Sequence, residues 1–110
     1  MAFDDDLARR VREMLAEQPA LRERKMFGGL AFLLAGNMCC AILGDELLVR
    51  VGPERYPAAL AQPYARIRSL AGRTMTGVVV VAPAGLASDE ALQSWVMQGV
   101  AYAMSLPPKA

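Results

Sequence analysis

The sequence predicts an α+β domain, a mainly antiparallel sheet with helices packed on one side in two layers, and three observations carry that reading. Apolar residues recur at helical spacing near both ends of the chain: Leu7, Val11, Met14 and Leu15, then Leu92, Trp95, Val96, Gly99 and Ala103. Between them lie short apolar runs of strand length, separated by glycine-containing turns. Single helical stretches separate runs of strands, which is the pattern of α+β rather than of regularly alternating units.

Residues 4–18 read as an amphipathic helix. Its N-terminal aspartates cap it and suit the positive end of the helix dipole, and Pro19 closes it. Arg9 and Glu13 form an i, i+4 pair on its wet face. A short strand follows at 25–27, preceded by Arg22 and Arg24, and Gly28-Gly29 marks a bulge or sharp bend. Strands at 30–35, 38–43 and 46–51 are joined by the turns Gly36-Asn37 and Gly44-Asp45. In the last of these strands Leu47, Val49 and Val51 share one face, Leu48 and Arg50 the other. Pro53 opens a short helix at 54–62 that Pro57 kinks. A weaker strand at 65–70 turns through Ala71-Gly72-Arg73 into 76–82, whose four consecutive valines predict a central strand covered on both faces. Ser88-Asp89-Glu90 caps the final helix and Pro107-Pro108 stops it. The predicted order is α-βββ(β)-α-ββ-α within one domain spanning residues 1–110. Helices on one side leave Leu33, Leu48, Cys39 or Cys40 and half of the valine run in need of cover, and a homodimer is expected to supply it.

Composition narrows the chemistry. A chain of 110 residues buries roughly two-thirds of its unfolded surface, enough for a core without staples. It contains no histidine, which removes imidazole general acid–base catalysis, Ser/His/Asp and Cys/His pairs, and imidazole metal sites. Cys39 and Cys40 are adjacent, and neighbours on a regular strand point to opposite faces, so they read as small buried residues rather than a bridge. The carboxylates fall at helix starts and turns, and the serines and threonines lack an activating base. No Walker or dinucleotide pattern occurs. No catalytic residue, cofactor or metal is therefore expected. No apolar run approaches the roughly 20 residues of a membrane span, and the acidic residues near the start are unlike a secretory signal; a cytoplasmic protein is expected. The net charge of +1 is far from that of an autonomous nucleic-acid binder.

The arginines are what the architecture leaves over. Arg22 and Arg24 precede the first strand and Lys25 begins it, Arg50 and Arg55 flank the Val51-Gly52-Pro53 turn, and Arg66, Arg68 and Arg73 surround the second pair of strands. Arg66 and Arg68, two apart, project from one face of a strand. They are either solvated charges or a converging cationic surface able to hold phosphate or an acidic partner.

The segment Arg24-Lys25-Met26-Phe27-Gly28-Gly29-Leu30-Ala31-Phe32 resembles the opening strand motif of the TfoX N-terminal domain family. Asn37-Met38, the stretch from Gly44 through Val51-Gly52-Pro53 to Tyr56, and Gly72-Arg73-Thr74-Met75-Thr76-Gly77 continue the likeness in order, over roughly residues 7–108. The resemblance implies an α+β fold similar to that of secretion chaperones, often dimeric, and no catalytic residues. It also implies regulation of competence genes together with a cyclic-AMP receptor protein, in members that carry a second, C-terminal domain; this chain stops where that domain would begin. Thr76 stands where similar sequences often have Lys, Val78 where they often have an aromatic residue, and Pro57 interrupts a short helix.

Charge and resemblance together predict a non-enzymatic domain that binds a protein partner, a transcription factor among the candidates. The expected contact region is Arg24, Lys25, Met26, Phe27, Gly28, Gly29, Arg50, Arg55 and Arg73. The alternative is direct nucleic-acid binding through the same arginines, with steep salt dependence. A small enzyme or ligand-binding domain using an external cofactor is the third reading.

Overall fold

Six strands in one antiparallel sheet organise the computed structural model, which describes residues 3–26 and 28–109. The strands β1 (Leu21–Met26), β2 (Gly29–Leu34), β3 (Asn37–Leu43) and β4 (Glu46–Arg50) form a meander. A hairpin of β5 (Ala65–Leu70) and β6 (Arg73–Val81) joins it through β6, so the spatial order is β1-β2-β3-β4-β6-β5. Helix α1 (Asp5–Met14) precedes the meander, α2 (Tyr56–Leu60) links it to the hairpin, and α3 (Asp89–Ser105) follows a 3-10 turn at Pro83–Leu86. The α+β class and the helix–sheet order agree with the sequence reading, with the bracketed fourth meander strand present as β1.

All three helices bury their apolar sides in one cluster with alternate sheet residues, including Leu30, Phe32, Ile42, Leu47, Val49 and Val79. The other sheet face carries no helix among the described residues. The valine strand β6 lies between β4 and β5, as its continuous apolar run requires: Val79 and Val81 face the helices while Val78 and Val80 face away. No helix is long and apolar enough to cross a membrane among the described residues.

Local chemistry fixes the elements. Asp4 caps α1, its carboxylate accepting from the backbone N–H of Asp6 at 2.8 Å and of Leu7 at 3.1 Å. The helix ends at Met14 rather than at residue 18, because Pro19 disfavours helical geometry in the residue before it and the chain unwinds upstream. Arg9 bonds Glu13 at 2.7 Å as the spacing predicts. Arg12 pairs with Glu23 of β1, and Arg10 with Asp89 at the start of α3, so α1 is tied to both layers. Ser88 caps α3 through the Ala91 N–H at 3.1 Å.

Further sequence expectations are corrected. The short helix does not open at Pro53 with a kink at Pro57: α2 starts at Tyr56, and Pro57 sits in its first turn, where its missing N–H costs no helix bond. The first strand runs from Leu21, not from residue 25, so Arg22 and Arg24 lie within it; an edge strand tolerates a charged run because only one side of it is paired. The turn after β2 is Ala35-Gly36, both at positive φ, and Asn37 is the first residue of β3, paired with Leu34. Cys39 and Cys40 do not point to opposite faces. The β2–β3 register shifts between Phe32 and Leu33, leaving Cys39 as an extra residue, and both thiols turn into the helix-side core with their sulfurs 3.8 Å apart and no disulfide.

Helix α3 crosses this bulge at close range. A Cβ on Gly99 would collide with the Cys39 carbonyl oxygen, and a backbone obstacle cannot swing aside as a side-chain tip can. Gly99→Ala is therefore expected to lower stability by about 1–3 kcal/mol through forced separation of α3 from β3, despite the roughly 1 kcal/mol that alanine contributes to an unconstrained helix. Urea denaturation reads this directly; an unchanged or raised midpoint would show that the helix does not sit this close.

Candidate partner-binding face

Antiparallel partners share a sheet face, so the register defines what the uncovered side presents. One row reads Arg24, Ala31, Ala41, Leu48, Val80 and Arg66 across the sheet from β1 to β5. Flanking it are Arg22 opposite Leu33, which in turn opposes Met38, and Met26 opposite Gly29. Ala31 and Ala41 are too short to reach solvent and form a floor. Around them the half-buried side chains of Met26, Leu33, Met38, Leu43 and Met75 lean inward and pack on the buried Leu48 and Val78. The result is a shallow depression of about 50 Å³ lined by Met26, Met38, Leu43, Leu48, Met75 and Arg68.

Arginines border this apolar centre on both sides. Arg22 and Arg24 stand on β1, exposed and without an ion-pair partner among the described residues. On β5, Arg66 reaches across β6 to Glu46 with two bonds of 2.5 and 2.7 Å, and Arg68 turns into the depression. The Arg66 hydrogen bond, with the positive charges of Arg66 and Arg68, holds the Glu46 carboxyl below its ordinary value of 4.5. Val80, between Leu48 and Arg66 in register, is only 2 % exposed although no helix covers it.

The expected contact residues divide. Arg24 and Met26 belong to this face; Gly28, at φ +75°, precedes β2, and Gly29 opens that strand opposite Met26. Phe27 lies outside the described residues. Lys25 pairs with Leu30 and so lies on the helix side of the edge strand. Arg50 opposes Val78, but its guanidinium carbon sits 5.3 Å from the centroid of the Tyr102 ring at the end of α3. Arg55 lines a separate cleft of about 430 Å³ with Gly52, Pro53 and Tyr102. The Ser105 hydroxyl at that cleft donates to the Tyr102 carbonyl at 2.6 Å. Arg73 is at the tip of the β5–β6 hairpin, where it opens β6 opposite Leu70. Arg50 and Arg55 thus both lie beside Tyr102, whereas Arg73 belongs to the hairpin tip. Sequence reasoning left Arg22, Arg68, Met38 and Met75 out of the site; the same-face spacing of Arg66 and Arg68 was the available signal, and Arg22 with Arg24 repeats it once β1 is extended.

The residues that carry the family resemblance have structural duties. A Cβ on Gly29 would strike the Ile42 backbone, and one on Gly52 the Tyr102 ring. Gly52 and Gly77 pack back to back at positive φ, and the Gly77 carbonyl accepts from both the Val51 N–H at 2.8 Å and the Gly52 N–H at 3.0 Å. Asn37, the one buried polar side chain among the described residues, donates to the Pro107 carbonyl at 3.0 Å and ties the chain after α3 to the sheet. The buried thiol pair is likewise set by packing. The Cys39 sulfur lies 3.4 Å from the Phe32 carbonyl, and its hydrogen bond with Cys40 lowers the Cys39 thiol pKa while that bond and burial push Cys40 well up. No group of three or more metal-ligating side chains gathers among the described residues.

The Glu46–Arg66 pair makes a pH-dependent contribution. Because folding depresses the Glu46 pKa, the contribution is present above the ordinary value of 4.5 and fades as pH falls through the lowered one. Both side chains are partly exposed, at 27 % and 54 %, so the pair contributes below about 1 kcal/mol. Glu46→Gln is expected to be slightly less stable than the parent near pH 7, with the gap shrinking as pH falls below 4.5, as read by urea denaturation at each pH. A gap that persists in acid would contradict the assignment.

No curated protein and no solved structure matches the chain. The family model for the TfoX N-terminal domain matches residues 13–103, from within α1 to near the end of α3, and takes in all six strands and both halves of the arginine border. The chain belongs to the TfoX N-terminal domain family.

Proposed function

We propose that this domain works by binding a protein partner on the uncovered face of its sheet, without chemistry of its own, in a setting of transcriptional control. The observation that carries this reading is the apolar depression over Ala31 and Ala41, bordered on both sides by arginine and overlain by no helix. A sheet face that met only water would present alternating polar residues; this one presents leucine, valine and methionine. Family membership supports the regulatory setting and supplies no catalytic group.

Direct nucleic-acid binding is the second reading, favoured by Arg22 and Arg24, which have no ion-pair partner among the described residues. Capture from lysate of the native host, with and without nuclease, separates the two. The tagged parent should retain one protein at near-equal stoichiometry whether or not nuclease is present. Met38→Glu and Leu33→Glu, both half-buried on the open face, should lose it, while Gln93→Glu on the exposed side of α3 should keep it. Capture abolished by nuclease, or unaffected by both open-face variants, would overturn the proposal.

A further inference from the structure

We infer that the occupant of the open face is an acidic amphipathic segment of the partner, an apolar seam flanked by carboxylates. This rests on the preceding reading that the face binds protein, and goes on to name the chemistry it selects. Three features of the face argue for it.

The centre is adaptable and apolar. Met26, Met38 and Met75 surround the alanine floor, and unbranched thioethers reshape around an inserted side chain more readily than branched residues do. An apolar residue entering over Ala31 and Ala41 would meet carbon and sulfur on nearly every side. Helix-in-groove recognition uses such anchors at i, i+3 or i+4 and i+7.

Both borders carry the same sign. Arg22 and Arg24 on β1 and Arg66 and Arg68 on β5 face one carboxylate, Glu46, which Arg66 already engages. The borders lie about 24 Å apart, five strand spacings, and a helix about 10–12 Å across fits between them. Such a helix can present an acidic residue toward each border. A second copy of this chain cannot do the same. When two such faces stack with their strands aligned, basic border meets basic border, and no carboxylate row is available to offset it.

The face is also ill suited to nucleic acid. Single strands stack their bases on aromatic rings, and the apolar cluster on this face contains none among the described residues. A duplex would set its phosphates against methionine at the centre and reach arginine only at the margins.

Calorimetric titration tests the inference with three probes. They are a synthetic helical peptide with a leucine seam and glutamate flanks, its twin with lysine flanks, and a duplex oligonucleotide. The glutamate peptide should bind, and the lysine twin should bind at least about tenfold more weakly. Arg24→Glu combined with Arg68→Glu should weaken the glutamate peptide by about tenfold or more and narrow its lead over the twin. Arg24→Gln with Arg68→Gln should give a smaller change of the same sign, and a retained unfolding midpoint verifies that the variants fold. Three results would overturn the inference: a lysine twin that binds as well, an oligonucleotide that binds more tightly than the glutamate peptide, or a chain that sediments as a dimer which Met38→Glu splits. If neither peptide binds while lysate capture still fails for Met38→Glu and Leu33→Glu, the acidic-segment inference falls and partner binding on this face stands.

Discussion

The structure depends on one constraint: three helices cover only one side of a six-stranded sheet. Helix α3 does most of the covering, lying against β3 and β4 along Leu92, Trp95, Val96, Gly99 and Val100. It comes close because Gly99 has no side chain where the bulged Cys39 backbone rises to meet it. That contact sets the depth of the helix layer, and the alternation of β4 and β6 then decides what is left outside. Leu47, Val49, Val79 and Val81 go in, while Leu48, Val78 and Val80 are left for the other face. The chain has no helix for that second face among its described residues. Short residues instead lie beneath long flexible ones, with arginine along the margins.

The same economy explains why a family signature can be strong and still say little about activity. Gly29, Gly52 and Gly77 allow backbones to meet, and Asn37 holds the chain after α3. These residues recur in the resemblance because the fold needs them, so the match identifies the architecture. The groups free to act are those that packing does not use, the border arginines and the methionine-lined depression.

Much of this was legible in the sequence. The apolar stripes of α1 and α3, both of their caps, the β3–β4 hairpin and the valine strand follow from period and turn chemistry alone. The open face was legible in outline, since Leu33 and Leu48 alternate away from the helix-side residues. What escaped depended on partners. The run Arg22-Glu23-Arg24-Lys25 resembles a solvated loop until β2 is beside it, when it becomes a permitted edge strand. The cysteine bulge needs the β2–β3 register to be known, and a single strand read alone has no register. Arg50, Arg55 and Arg73 seem related by proximity to turns, but Tyr102 of α3 draws Arg50 and Arg55 to one end of that helix while Arg73 belongs to the β5–β6 hairpin tip. Same-face pairs two residues apart were the signal that survived folding, in Arg66 with Arg68 and in Arg22 with Arg24.

The central claim is that one face of the sheet is covered by helices and the other is open in the free chain. Methyl-resolved NMR with a soluble paramagnetic agent tests it most directly, because neighbouring residues on one strand serve as each other's control. Signals of Leu48 and Val78 should broaden more than those of Leu47, Val49, Val79 and Val81, giving an alternating pattern along β4 and β6. Equal protection of both sets would mean that the second face is covered, and would contradict the account.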